Sequence, residues 1–224
     1  MKVQAIVPAA GTGTRLKSRQ DKPFIFLKGK PLIVHTLSVL EKCSAIESII
    51  LVTHARQIKN FQKLIGTYRF LKIKQIVPGG HTRCASVQNG LKALDRDTDV
   101  VLVHDGARPL ISSELLKASI TLMRREQAVV VAVPVKPTIK MVHAKSFYIE
   151  KTLPRETLWE AQTPQVFRKD ILMKAHAKML CADPTDDAVL VEQMGIKVKI
   201  LRGDYTNIKV TTREDLAIVK NLLP

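Results

Sequence analysis

Short, unbroken runs of aliphatic and β-branched residues recur along the chain, each followed by a stretch with helical spacing. The runs are Val3–Val7, Ile49–Thr53, Ile73–Val77, Val100–Val103, Val129–Val133 and Val198–Leu201. A strand with one wet face alternates apolar and polar residues. A continuous apolar run of this length suits a strand buried on both faces. Between the runs lie helix candidates. Pro31 opens one at a favoured first position and the segment reaches Cys43. Thr82 to Leu94 puts Val87, Leu91 and Leu94 on one face. Ser112 or Ser113 can cap a helix carrying Leu116, Ile120 and Met123, and a further helix is expected from Lys169 to Leu180. Thr211 and Glu214 have capping-box spacing before a last helix. Strand–helix alternation of this kind predicts an α/β fold, a mostly parallel twisted sheet flanked by helices with right-handed crossovers. Residues 1–224 read as one domain. Aromatic residues are only 4% of the chain, so the core must be built from Val, Ile, Leu and Ala.

One segment departs from the pattern. Between Val135 and Thr152 two short strand-like pieces, Ile139–Val142 and Phe147–Ile149, are separated by polar residues. They predict a β-arm protruding from the main sheet. A two-stranded hairpin is marginal alone, so the arm of residues 135–152 is expected either to lie on the surface of its own chain or to serve as a dimerisation arm.

Charge and cysteine usage narrow the environment. Lys and Arg number 36 against 20 Asp and Glu, a net charge of +16, which attracts polyanions. The basic residues form no tail and are not interleaved with the aromatic residues that single-strand binders stack on bases, so an anionic small substrate is expected rather than nucleic acid. Cys43, Cys84 and Cys181 are odd in number and far apart. They form neither a disulfide framework nor a metal-type pair, which favours a reducing, cytoplasmic setting. The apolar run at the N-terminus ends at Gly11, too early for a signal peptide. No stretch reaches the ~18 apolar residues of a membrane-spanning helix, and no membrane partner is expected.

The polar residues of interest lie where the apolar runs end. Pro8-Ala9-Ala10-Gly11-Thr12-Gly13-Thr14-Arg15 follows the first run, with Lys22 shortly after. Small residues let the backbone approach a ligand, and two cations close to a glycine loop suit a triphosphate. No Gly-Lys-Ser/Thr closes the loop, and Leu16 stands where the third glycine of the dinucleotide fingerprint belongs, so it is neither a P-loop nor that fingerprint. Gly79-Gly80-His81-Thr82-Arg83 follows the third run, with Ser86 one turn into the next helix. His104-Asp105-Gly106-Ala107-Arg108-Pro109 follows the fourth. Each loop taken alone is compatible with a plain strand-to-helix turn. Together they lie beyond the carboxyl ends of strands, where open α/β sheets bind ligands. A carboxylate in that position, Asp105, can hold a metal or a substrate hydroxyl.

These motifs, with Leu158-Trp159-Glu160-Ala161-Gln162-Thr163-Pro164-Gln165 and Asn207-Ile208-Lys209-Val210-Thr211, stand in the order found in 2-C-methyl-D-erythritol 4-phosphate cytidylyltransferases, and the chain resembles that family from Val3 to Leu223. The resemblance implies a Rossmann-like nucleotidyltransferase fold, a homodimer and a Mg²⁺-dependent transfer from CTP to a polyol phosphate. It implies catalytic roles for Arg15, Lys22 and Lys209 beside the reacting phosphates. It places Ala9, Ala10, Gly11, Gly13, Gly79, Gly80, Arg83 and Ser86 around CTP. Asp105 falls near the ribose, the acceptor and the metal, and Arg108, Thr138, Arg155 and Thr163 match acceptor-binding positions. It further implies that Thr138 and Arg155 serve the partner's site. The chain departs from the family pattern at Asp21 and Pro23 around Lys22, at Pro137 before Thr138 and at Thr206 before Asn207. Pro23 fixes its own φ and restricts Lys22.

The expected chemistry agrees with what the chain lacks. A phosphate monoester, with a second pKa near ~6, is largely dianionic at neutral pH. It needs no general base, only help in approaching another anion, so positioning and charge stabilisation suffice. No Ser-His-Asp or Cys-His arrangement is evident, the six histidines lack metal-ligand spacing, and His104 is expected to be structural. Neighbouring expectations are a ribitol-5-phosphate cytidylyltransferase and a nucleotidyltransferase using UTP or GTP. A basic RNA-binding domain would need more aromatic residues than this chain has.

Overall fold

A computed structural model describes residues 1–11, 13, 16, 20–178 and 184–223. The main sheet contains β1 (Val3–Pro8), β4 (Ser48–Thr53), β5 (Ile73–Pro78), β6 (Val100–Val103), β7 (Ala128–Pro134), β10 (Trp159–Arg168) and β11 (Lys199–Arg202). Two small hairpins supply the rest: β2 (Phe26–Leu27) with β3 (Lys30–Pro31), and β8 (Lys140–Val142) with β9 (Ile149–Thr152). The helices are α1 (Leu32–Lys42), α2 (Ile58–Tyr68), α3 (Arg83–Lys92), α4 (Ser113–Leu122), α5 (Lys169–Lys178), α6 (Ala188–Glu192) and α7 (Arg213–Leu222).

The strand order is β11-β7-β10-β6-β1-β4-β5. All pairings are parallel except those of β10, which runs antiparallel to both β6 and β7. The chain builds outward from β1 to β5, then returns to place β6 on the other side of β1. The carboxyl ends of β1 and β6 therefore flank the topological switch point, where a crevice forms in an open α/β sheet.

Alternation along each strand fills both faces. In β1, Val3, Ala5 and Val7 pack with Ile33, Val34 and Leu37 of α1 and with Leu116 of α4, while Ile6 points to the layer of Val87 and Leu91 of α3 and Leu172 of α5. A third, smaller cluster joins Leu27 and Leu32 to Val210, Val219 and Leu223, so α7 covers the β2–β3 hairpin.

The expected mostly parallel sheet and its flanking helices are present, with four differences of detail. Pro31 caps α1 instead of occupying its first turn. The capping box of α7 is Thr212 with Asp215, one residue beyond the expected pair. Two helices, α2 and α6, were not anticipated, and neither was β10. The hairpin's first strand starts one residue later than the expected piece and ends with it at Val142, its second lies two to three residues further on than expected, and the register shifts between Met141 and Val142. Its strands are exposed throughout, and so are Phe147 and Tyr148 between them.

Candidate active site

A cleft of about 740 Å³ opens at the switch point. Its walls come from three strand ends. After β1, Ala9, Ala10, Gly11 and Gly13 line it; after β5, Gly79, Gly80, Arg83 and Ser86 do; after β6, Asp105 and Gly106 do. The glycine at 79 is a steric requirement, because a Cβ there would meet Ala10 Cβ at 2.6 Å and Ser86 Oγ at 2.9 Å. The turn is held by side chains of the helix it precedes. Thr82 caps α3 by accepting from Ala85 N at 3.0 Å, and Ser86 Oγ accepts from Gly80 N at 3.1 Å while donating to Thr82 O at 2.9 Å.

Lys22 and Lys209 also line this cleft, from opposite ends of the sequence. Lys22 begins a 3-10 turn, Lys22–Phe24, that accommodates Pro23. Its Cβ backs onto Gly13, whose φ of +66° and lack of side chain make room; a Cβ on Gly13 would stand 2.9 Å from it. Asp21 ties the same turn to the far wall through Gln57 and through Arg56 Nη2 at 3.1 Å.

Asp105 occupies the junction. Its carboxylate accepts from Arg83 Nε at 3.2 Å and from Lys209 Nζ at 2.7 Å. Burial opposes its charge, but Arg83 and Lys209 overcome that penalty and hold its pKa well below the usual carboxylate range. A second cavity of about 230 Å³ lies on the other side of the same residues. Arg83, Asp105 and Lys209 line both cavities, and the smaller one adds Arg108, Gln162, Thr163 and Asp186.

The antiparallel strand β10 makes this second cavity. Its register shifts between Ala161 and Gln165, which turns Thr163 toward the end of β6. There Thr163 Oγ1 accepts from Asp105 N and pairs with His104 Nδ1, each at 3.1 Å. Asn207 Nδ2 donates to Thr163 O at 2.9 Å, and Arg108 Nη1 donates to Asn207 O at 2.6 Å. The loop carrying Lys209 is thereby fastened to β10. His104 is fully buried, and loss of hydration drives its pKa from an ordinary 6.5 down to about 4. It is therefore neutral at physiological pH and acts as a fixed hydrogen-bonding strut.

The sequence-derived site residues thus divide into three groups. Ala9, Ala10, Gly11, Gly13, Lys22, Gly79, Gly80, Arg83, Ser86, Asp105 and Lys209 converge on the large cleft, and Arg108 and Thr163 on the adjoining one. Thr138 and Arg155 flank the arm, exposed and outside both cavities, with Arg155 Nη1 donating to Lys136 O at 3.1 Å. Arg15 lies outside the described residues. The sequence reading assigned no role to Gln162, Asn207, His176 or Asp187. The first two fall inside quoted motifs. Asp187 could have been suspected from the polar Thr185-Asp186-Asp187 immediately before an apolar helix.

A doubly wound sheet with glycine-lined strand ends, a deep cleft and clustered cations defines a nucleotide-using transferase. Comparison with known proteins makes this specific: residues 3–224 match the IspD family, 2-C-methyl-D-erythritol 4-phosphate cytidylyltransferase, and the chain belongs to it. The enzyme of that name from Alkaliphilus metalliredigens is 48% identical over 225 residues, covering 99% of this chain and 93% of the relative. The one from Bacillus licheniformis is 44% identical, covering 100% and 96%. Among solved structures, 4-diphosphocytidyl-2C-methyl-D-erythritol synthase from Anaerococcus prevotii superposes with a TM-score of 0.87 at 34% identity, covering 99% of this chain and 95% of the other. The Francisella tularensis enzyme gives 0.83 at 30%, covering all of both chains.

Proposed function

We propose that this chain transfers the cytidylyl group of CTP to 2-C-methyl-D-erythritol 4-phosphate, releasing pyrophosphate and giving 4-diphosphocytidyl-2-C-methyl-D-erythritol, a step in isoprenoid precursor synthesis. Beyond family membership, one structural observation carries the assignment. Arg83, Asp105 and Lys209 form the shared wall of a large cleft and a small one. A two-substrate transfer needs this arrangement, with the nucleotide in the larger cavity and the polyol phosphate in the smaller.

The reaction forms a bond between an acceptor phosphate oxygen and the α-phosphorus of CTP. The bond from that phosphorus to the bridging oxygen breaks, and its electron pair leaves with pyrophosphate. No proton need be removed from the attacking dianion. Backbone groups at Ala9 to Gly11 and at Gly79 and Gly80, with Ser86, frame the base. Lys22 and Lys209, joined by Arg15, offset charge at the α-phosphorus. Arg108 and Thr163 receive the acceptor. Asp105 holds Arg83 and Lys209 in place before substrate enters, so their positions need not be reorganised during the reaction.

Mg²⁺ fits the donor chemistry of this site. Asp105 offers hard carboxylate oxygens at the junction of the two cavities, one also accepting from Arg83 and the other from Lys209, so an ion there would share them with these cations. Mg²⁺ commonly takes one or two carboxylates and completes its shell with phosphate oxygens and water. When bound it would neutralise triphosphate charge. Among the described residues no helix is long and apolar enough to cross a membrane; small phosphorylated substrates and an odd number of widely spaced cysteines support a cytoplasmic setting. The arm of residues 135–152 forms a dimer contact, delivering Thr138 and Arg155 to the partner's acceptor cavity.

A pyrophosphate-release assay tests the assignment by crossing CTP, UTP, GTP and ATP with 2-C-methyl-D-erythritol 4-phosphate and ribitol 5-phosphate. CTP with the methylerythritol acceptor is expected to turn over fastest. Faster turnover with ribitol 5-phosphate or with UTP would overturn it.

A further inference from the structure

Behind the shared wall runs a buried chain of hydrogen bonds that begins outside both cavities. Cys84 Sγ lies 3.7 Å from His176 Nδ1, and His176 Nε2 lies 3.1 Å from Asp187 Oδ1. The other oxygen of Asp187 accepts from Arg83 Nη1 at 2.7 Å, and Arg83 Nε donates to Asp105. His176 and Asp187 are almost completely buried, at 2% and 1% exposure. Neither lines the nucleotide cleft or the smaller cavity.

The pattern of donors is self-consistent. With Cys84 donating its S–H to Nδ1, the proton on His176 sits at Nε2 and is given to Asp187. Asp187 then divides its oxygens between an imidazole N–H and a guanidinium N–H. Its backbone is fixed separately, Asp187 N donating to Gln165 Oε1 at 3.1 Å. The side-chain torsion is set by its two partners, His176 at one carboxylate oxygen and Arg83 at the other. The guanidinium is in turn gripped by two carboxylates through two different nitrogens. Arg83 is therefore held in one rotamer across the junction, although a long side chain of this kind ordinarily loses considerable rotamer freedom on being fixed.

We propose that His176 is a positioning residue for the transfer, acting through Asp187 to fix Arg83 and, through Arg83, the carboxylate of Asp105. This rests on the functional reading above, in which Arg83 and Asp105 serve both substrates. Networks of this kind are coupled, so loss of a distant member is felt at the near end.

The test compares three replacements by kcat and KM, with the folded state checked by circular dichroism. His176→Gln keeps an amide N–H where Nε2 stood. His176→Asn places its amide near Nδ1, out of reach of Asp187, and His176→Leu fills the space without any donor. Expected are a kcat about tenfold lower for His176→Leu and His176→Asn, and recovery to within about threefold of the parent for His176→Gln. In an Arg83→Lys background, His176→Leu is expected to cost less than about twofold further, since the link is already cut. Parental kcat in folded His176→Leu, equal rates for His176→Gln and His176→Asn, or full multiplicativity with Arg83→Lys would overturn the proposal. The Gln–Asn comparison decides alone should the leucine variant fail to fold. Arg83→Ala separates the two levels. Full activity there would place the fault in the assignment of Arg83 to the site. An inactive Arg83→Ala beside a normal His176→Leu would place it in the link from His176.

Discussion

Lys22 Nζ donates to the carbonyl of Val210 at 3.1 Å, joining positions 188 residues apart. The acceptor is the residue next to Lys209, so the side chain of one lysine proposed to flank the α-phosphorus is anchored to the backbone beside the other. Pro23 does not swing Lys22 away, because the 3-10 turn takes up the constraint and Gly13 leaves space for the side chain. Replacing Lys22 or Lys209 by Ala is therefore expected to lower kcat by about 10²–10³ while the fold persists, taking loss of an oxyanion-hole donor as the guide. Lys22→Arg is expected to restore only part, since a planar fork does not replace a compact ammonium. Steady-state kinetics beside circular dichroism would check this. Near-normal kcat in folded Lys22→Ala would remove the residue from the reaction.

The close approach at Gly79 gives a second expectation. A methyl group there meets Ala10 Cβ at 2.6 Å, below any real contact distance, so one loop must retreat from the other. These loops are the two walls proposed to hold the nucleotide. Gly79→Ala should raise KM for CTP by about tenfold or more, since displacements below 1 Å in a positioned site are costly. KM for the polyol phosphate should change little. Measuring both constants in one preparation separates the effects, and an unchanged KM for CTP would mean the base lies elsewhere.

Stability should also respond to pH through His104. Its folded pKa is depressed to about 4 from an ordinary 6.5. Protonation is thus disfavoured in the folded state and easier once the chain unfolds. The contribution is fully present above about pH 6.5 and is lost as pH falls from there to about 4, amounting to roughly 3 kcal/mol in all. Asp105 and Asp187, whose pKa values are lowered, add a further loss only at still lower pH. Urea unfolding at intervals between pH 7.5 and 4, compared with His104→Gln, should show a steeper decline in the parent. Parallel curves would mean that His104 is hydrated in solution.

How much of this was legible in the sequence follows from what each residue has to do. Strands buried on both faces announced themselves as unbroken apolar runs, and the glycine loops stood where those runs ended. β10 was hidden because Gln162, Thr163 and Gln165 interrupt its apolar residues. Those polar side chains are buried, and they are satisfied only by partners that folding brings in: Asn207, His104 and Asp186. No periodicity signals a strand of that kind. The α7 cap was misplaced by one residue because Thr211 and Thr212 are adjacent and both precede an acid three residues on; Asp215 accepts from both backbone amides. The His176–Asp187–Arg83 chain was silent because Arg83 stands in a quoted motif while His176 and Asp187 lie about a hundred residues away in segments that carry none, hydrogen-bonded to it only once the chain has folded.

The arm yields the sharpest test, because it concerns which chain completes which site. Thr138 and Arg155 lie at its two ends, exposed, and outside both cavities of their own chain. Met141, Val142, Phe147, Tyr148 and Ile149 are also exposed along it, an apolar group that a second copy of the chain would cover. In a symmetric dimer every contact occurs twice, so each site would take Lys22 from one chain and Arg155 from the other. Lys22→Ala and Arg155→Ala should each be nearly inactive as pure dimers. In a mixed dimer one site receives both lesions and the other receives neither. Unfolding and refolding the two variants together should then give about half of all dimers in mixed form, each with one intact site, and so about a quarter of parental activity for random pairing. Native mass spectrometry would count the mixed dimers. If they are present and the mixture stays as inactive as its components, Lys22 and Arg155 serve the same chain's site and the arm is structural only.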